Sequence, residues 1–294
     1  MDDVKKLSRN ISLIENQSEG FEQLLLNLPP SDSMVIGITG APGSGKSTLS
    51  DGLISEMVKH DKKVAVLCVD PSSPFHRGAL LGDRIRMSEW YNVPGVFIRS
   101  LASRGSLGGL NPMIIEIAEY VRSAGFDYVI IETVGVGQSE VDIAALADIT
   151  IVVLVPEGGD SIQSMKAGLM EIADVFVVNK SDRPGADTFY NDLKKMIGPL
   201  FIRHEEMKPV FKVTASERKG IERLYEYISA TTPKNFSDQK INLLAAKVIT
   251  MVQNQLTKNI NAEELKRELQ KQLAISGKIN LFEFSKKIAG TNFF

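Results

Sequence analysis

Lys46 and Ser47 close the run Gly40-Ala41-Pro42-Gly43-Ser44-Gly45-Lys46-Ser47, which fits the spacing G-x-x-x-x-G-K-[ST] at every fixed position. The chemistry of that spacing is phosphate binding. Glycines let successive backbone N–H groups turn inward on an anion without Cβ clashes. Lys46 brings a positive charge to the outer phosphates, and the Ser47 hydroxyl, with Thr48 behind it, is a ligand for Mg²⁺. A helix starting at this point adds the partial positive charge of its N-terminus. A second run, Asn179-Lys180-Ser181-Asp182, reads N-K-x-D directly after an apolar stretch. The Asp182 carboxylate can accept from both N1–H and N2–H of guanine, a pair that adenine does not offer. The Lys180 stem can cover the base, and Asn179 can tie this loop to the phosphate loop. Thr214-Ala215-Ser216, following another apolar stretch, could supply a backbone N–H to guanine O6. The two runs in this order point to GTP and GDP as ligands.

Hydrolysis needs acids near the γ-phosphate. The apolar run from Tyr128 ends in Glu132 and is followed by Thr133-Val134-Gly135, a D-x-x-G pattern with Glu in place of Asp. Gly135 would bring its backbone N–H to the γ-phosphate. Glu132 is one methylene longer than Asp, so it either binds Mg²⁺ through water or orients the attacking water. Asp70 and Asp83 flank a Pro- and Gly-rich stretch and are candidates for Mg²⁺ or its water shell, although either could simply cap a helix. The position where many GTPases carry a water-orienting Gln is Val136, with Gln138 two residues on. Arg77, Arg84 and Arg104 lie in loops, and none is assignable as a cis finger. Unaided hydrolysis by Lys46, Asp70, Asp83 and Glu132 should be slow and open to stimulation by a partner.

These residues need a scaffold that gathers them at one edge. From Met34 onward, apolar runs alternate with helical periodicity: Met34–Thr39, Val64–Val69, Val96–Arg99, Tyr128–Glu132, Thr150–Val155, Val175–Asn179 and Val210–Val213. Such alternation predicts an α/β fold of the P-loop NTPase kind, a mainly parallel central sheet flanked by helices, with ligands at the carboxyl ends of its strands. The first strand leads through the glycine loop into a helix over 46–59, with Leu49, Leu53 and Met57 on one face and Ile54 and Val58 beside it. Val4, Leu7, Ile11 and Ile14, then Phe21, Leu24, Leu25 and Leu28, predict amphipathic helices that pack on this domain. After the helix at 221–230 no strand candidate remains. Ile241, Leu244, Val248, Val252 and Leu256 form one helical stripe and Leu265, Leu269 and Leu273 another, with Asn261 and Glu264 as a capping box and Gly277 as a stop. The expected organisation is a helical extension (1–30), a nucleotide-binding domain (31–232) and a helical segment (233–294) whose stripes pack on the domain or on a second copy. The chain has 294 residues, a formal net charge of −2 and a single cysteine, Cys68. The charge balance gives no footprint for nucleic acid. No apolar run reaches membrane-spanning length and the first residues are polar, so the expectation is a soluble cytoplasmic protein without disulfides.

Longer runs narrow the reading. Val69 through Phe75, Gly82-Asp83-Arg84, Ser103 through Gly109 and above all Glu132 through Glu140 together resemble the MeaB/ArgK (MMAA-like) family, GTPases associated with methylmalonyl-CoA mutase. The resemblance is close over 34–228 and looser in the helical ends. It implies a homodimeric G-protein chaperone that gates adenosylcobalamin loading and the protection or reactivation of an adenosylcobalamin-dependent acyl-CoA mutase. It also implies that Lys46 and Ser47 serve phosphate and Mg²⁺, that Asp70, Asp83 and Glu132 are the acids of the site, and that the C-terminal helices form the dimer. Residues 156–168 resemble a nucleotide-responsive loop facing the mutase, with Glu157, Asp160 and Lys166 as its charges. His76-Arg77 departs from the Thr-Gly usual in the family and makes that loop bulkier and more basic. Two rival classes are a GTPase metallochaperone and a kinase linked to amino-acid transport. One Cys and three His leave the first short of ligands, and no separate acceptor site supports the second.

Overall fold

The computed structural model describes residues 2–70, 87–103, 110–133, 135, 139–157, 167–201, 208–232, 238–257 and 260–292. Seven strands, β1 (Met34–Thr39), β2 (Val64–Asp70), β3 (Val96–Ala102), β4 (Tyr128–Glu132), β5 (Ile149–Leu154), β6 (Val175–Val178) and β7 (Val210–Lys212), form one sheet. Their order is β3-β2-β4-β1-β5-β6-β7, and every pairing is parallel. All seven expected strands are present, and the sheet is wholly parallel.

Burial on both faces explains the continuous apolar runs. Met34, Ile36 and Ile38 of β1, Val64, Val66 and Cys68 of β2, and Tyr128 and Ile130 of β4 face one layer. That layer includes α3 (Lys46–Lys59), a later helix over Ile221–Ala230, and the side chains of Met87 and Trp90. Val35, Leu67, Val129 and Ile131 face the other. There α1 (Asp2–Glu15), α2 (Phe21–Leu26), α4 (Ile114–Arg122) and α5 (Ser139–Leu146) lie in chain order. Leu7, Ile11 and Ile14 of α1 are buried in this second layer, whereas Val4 is half exposed. Gly37 permits the close approach of α5 to β1, since a Cβ there would lie 2.7 Å from Ile143 Cγ1. At the amino ends of the strands, Asp127, Asp148 and Asp174 accept from the backbone N–H groups of Lys63, Val35 and Thr150. The opposite edge is left to the site.

The remaining helices of the sheet unit are α6 (Ala167–Ile172), α7 (Ala186–Phe201) and α8 (Ile221–Ala230). The chain divides into two compact units, Met1–Asn235 and Phe236–Phe294. The second contains α9 (Asp238–Thr257), α10 (Ala262–Ser276) and α11 (Leu281–Asn292). Asn261 Oδ1 caps α10 by accepting from Glu263 and Glu264 N–H, and Gly277 ends it in a left-handed conformation (φ 65°). Within this unit Phe284 is buried, but Ile241, Val248, Ile249 and Val252 are about half exposed. Among the described residues, no helix is long and apolar enough to cross a membrane.

Candidate nucleotide-binding site

The carboxyl end of β1 runs straight into the glycine loop, and α3 begins at Lys46. Gly40, Gly43 and Gly45 take φ of 144°, 78° and 89°, in the left-handed region that favours glycine. A Cβ on Gly40 would sit 2.2 Å from Val153 O, and one on Gly45 would sit 2.3 Å from Asn179 Nδ2. The loop is thus pressed between β5 and the segment after β6, and no larger residue fits at either place. Ser44 Oγ is buried and has no hydrogen-bond partner among the described residues, a donor held ready inside the loop. Lys46 is buried with its ammonium donating to Gly40 O (2.9 Å) and Ala41 O (3.2 Å), across the mouth of the loop. The cradle fits a polyphosphate.

Alternation along β4 places Glu132 on the same face as Ile130, toward α3. Its carboxylate meets two hydroxyls of that helix. Ser47 Oγ donates to Oε1 at 2.6 Å and Ser50 Oγ donates to Oε2 at 3.0 Å. Asp70 lies at the end of β2, two residues beyond Cys68, which is the register partner of Glu132. It is buried and on the same α3-facing side by strand parity. Ser47 and Glu132 therefore meet at one corner of the loop, and Asp70 lies on the same face of the sheet, two residues further along the neighbouring strand. Asp83 lies outside the described residues, as do Val136, Gln138, Arg77, Arg84 and Arg104. Gly135 (φ 82°) packs so closely that a Cβ would fall 2.1 Å from Gly40 O and 2.7 Å from Lys46 Nζ. Just before it, Thr133 Oγ1 donates to Thr39 Oγ1 at 3.0 Å, and Thr133 N–H donates to Ile38 O at 3.1 Å.

At the N-K-x-D loop, Asn179 is the hub. Its Nδ2 donates to Ser44 O at 2.8 Å, while its Oδ1 accepts from Lys180 N–H at 2.8 Å and Ala215 N–H at 3.1 Å. The expected tie between the N-K-x-D loop and the glycine loop is thus a direct hydrogen bond. Within the segment expected to offer a backbone N–H to the base, the Ala215 N–H donates to Asn179. Ser181 Oγ and Thr214 Oγ1 lie 3.0 Å apart and lock the same two segments together. Lys180 holds a positive φ of 55°, and Asp182 and Ser216 are exposed at the open end of the site. Lys219 carries a raised pKa from its bond and ion pair with Glu217 (2.6 Å), with a smaller pull from Asp182.

Three contacts had little signal in the sequence. Ser50 was legible only as a polar residue one turn after Ser47 on an otherwise apolar face. Arg218, in a left-handed conformation, donates to Ser55 Oγ (3.0 Å), Asp51 (3.4 Å) and Glu89 (3.0 Å) and so binds the segment after β7 to the outer face of α3. Glu157, at the head of the loop after β5, pairs with Arg183, next to Asp182. Asp160 and Lys166 lie outside the described residues.

Residues 7–265 match the model of a family described as methylmalonyl Co-A mutase-associated GTPase MeaB. The chain belongs to this family. A Pyrococcus abyssi protein carrying a GTPase name is 46% identical over 231 residues, 77% of this chain and 71% of its own length. GTPase ArgK of Escherichia coli is 36% identical over 232 residues, covering 76% of this chain and 70% of that one. The fused isobutyryl-CoA mutase of Geobacillus kaustophilus is 37% identical over 230 residues, 73% of this chain but 21% of its own length. Among solved structures, an LAO/AO transport system kinase aligns with a TM-score of 0.65 at 24% identity, covering 98% of this chain and 96% of that one. HypB from Helicobacter pylori, in complex with nickel, gives 0.50 at 17% over 76% of this chain and 94% of that one. At these identities the structural likenesses speak to the fold alone. Family, relatives and fold agree on a P-loop GTPase. Among the described residues, no group of three or more His, Cys, Asp or Glu side chains is arranged to hold a metal ion.

Proposed function

We propose that this GTPase is a chaperone of an adenosylcobalamin-dependent acyl-CoA mutase, gating loading of the cofactor and protecting or reactivating the mutase. The observation that carries this reading is the Geobacillus fusion, in which a segment similar to this chain forms part of a mutase polypeptide. Fusion places two activities at high effective concentration, which is of use when they act on each other. The family description supports the same partner.

In the reaction, the glycine loop, Lys46 and Ser44 hold the phosphates, Asp182 and Lys180 select and cover guanine, and Gly135 approaches the γ-phosphate. Mg²⁺ fits the corner made by Ser47 and Glu132, with Asp70 and Asp83 as further acids, and when bound it offsets the charge on the phosphates. Ser47 can offer an oxygen lone pair to the ion while its proton is held by Glu132. Glu157, paired with Arg183, joins the loop after β5 to the guanine side, which supports a role for residues 156–168 in reporting nucleotide state to the mutase. The half-exposed apolar residues of α9 support a homodimer through the second unit. A cytoplasmic location goes with a mutase partner of that compartment.

The test is GTP turnover against added acyl-CoA mutase, with transfer of adenosylcobalamin followed by its absorbance. The expected result is turnover raised at least tenfold and cofactor transfer that requires GTP. Unchanged turnover and no complex with the acyl-CoA mutases of the source cell would overturn the proposal.

A further inference from the structure

Ser50 is fully buried on α3 among Leu49, Leu53, Ile54 and Met57, all of them buried and apolar. A hydroxyl in such surroundings is unfavourable unless it is satisfied, and its partner is Glu132 Oε2 at 3.0 Å. The other oxygen of the same carboxylate accepts a hydrogen bond from Ser47 Oγ at 2.6 Å. Residues three apart share a helix face and are separated along the axis by about 4.5 Å, so one helix addresses both oxygens of one acid. An aspartate at 132 would hold its carboxylate back by about one C–C bond, roughly 1.5 Å, and could not meet both hydroxyls. We infer that Ser50 is a positioning residue for the metal side of the site. It fixes Glu132 Oε2 so that the longer acid, standing where D-x-x-G has aspartate, is held in one orientation toward the water shell of nucleotide-bound Mg²⁺.

This inference rests on the nucleotide site and not on the mutase reading, so its test needs no mutase. Release of a fluorescent GDP analogue from the full chain is measured against Mg²⁺ concentration for the wild type, Ser50→Ala, Glu132→Asp and the double variant. Loss of one hydrogen bond to a charged group should shift the Mg²⁺ midpoint of Ser50→Ala upward by about tenfold. On the Glu132→Asp background the same substitution should shift it less than about twofold, because the shorter acid no longer reaches Ser50. Thermal unfolding verifies that each variant is folded. Should Ser50→Ala fail to fold, Ser50→Cys, whose thiol is a weak donor, is read in the same way. An unchanged midpoint in the Ser50 variant, or an equal shift on both backgrounds, would overturn the inference and leave Ser50 as packing.

Discussion

Replacing Asn179 by Ala removes a side chain that joins the glycine loop, the N-K-x-D loop and the segment after β7. Three hydrogen bonds go with it, to Ser44 O (2.8 Å) and from Lys180 N–H (2.8 Å) and Ala215 N–H (3.1 Å). They differ in consequence. Ala215 is 4% exposed, so its N–H is stranded at about 1–3 kcal/mol. Ser44 O loses a bond of net worth about 0.5–1.5 kcal/mol, while Lys180 N–H, partly exposed, can turn to water. The total is about 2–4 kcal/mol of folding stability. Because the phosphate and guanine segments lose their shared anchor, GTP affinity should fall by about tenfold or more, in line with one to two hydrogen bonds to pre-set loops. The assay is urea unfolding with an unchanged m-value, paired with calorimetric titration by GTP. Ser181→Ala, which breaks a part-buried hydroxyl contact to Thr214, is the internal comparison and should cost about 1 kcal/mol. Asn179→Ala with a loss below about 0.5 kcal/mol and unaltered affinity would falsify the account of Asn179 as the hub.

Asp182→Asn should lower GTP affinity by about a hundredfold and turn preference to xanthosine nucleotides, read by competition binding, since two bonds to a charged acceptor are exchanged. Gly135→Ala forces a Cβ to within 2.1 Å of Gly40 O and 2.7 Å of Lys46 Nζ at a φ of 82°. It should cut phosphate release at least about tenfold, the displaced Lys46 being the cause, and normal turnover would remove Gly135 from the site. Deleting residues 234–294 should yield a monomer by light scattering that still binds GTP; a dimeric product would place the interface elsewhere. Burial, then the neighbouring Tyr225 and Asp127, push the Tyr128 hydroxyl up to about 12. The fold thus favours its protonated form, and that contribution is intact below pH about 10 and lost as pH rises from there through about 12. Urea unfolding across this window should show a steeper decline for the wild type than for Tyr128→Phe.

What the sequence by itself determined is local. β1, the glycine loop and α3 occupy 34–59 without interruption, so apolar runs, glycine spacing and helical periodicity specify them together. β1 and β4 keep the expected bounds because continuous apolar residues mark strands buried on both faces. β3 runs on to Ala102, whereas the sequence pattern ends it at Arg99, where Arg99 and Ser100 interrupt the apolar run. The sheet accepts this arginine at its edge, where Glu15 of α1 pairs with it at 3.3 Å and Ser12 Oγ accepts from it at 3.0 Å. The order of the strands was a tertiary decision. β4 inserts between β1 and β2, and only this brings Glu132 beside α3, 85 residues from Ser47 and 82 from Ser50. The same holds for Asn179, 135 residues from Ser44, and for Arg218, 163 residues from Ser55. Periodicity reports which face of a strand or helix is apolar. It carries no term for which strand lies next, and that is decided by how the crossover helices pack on the twisted sheet.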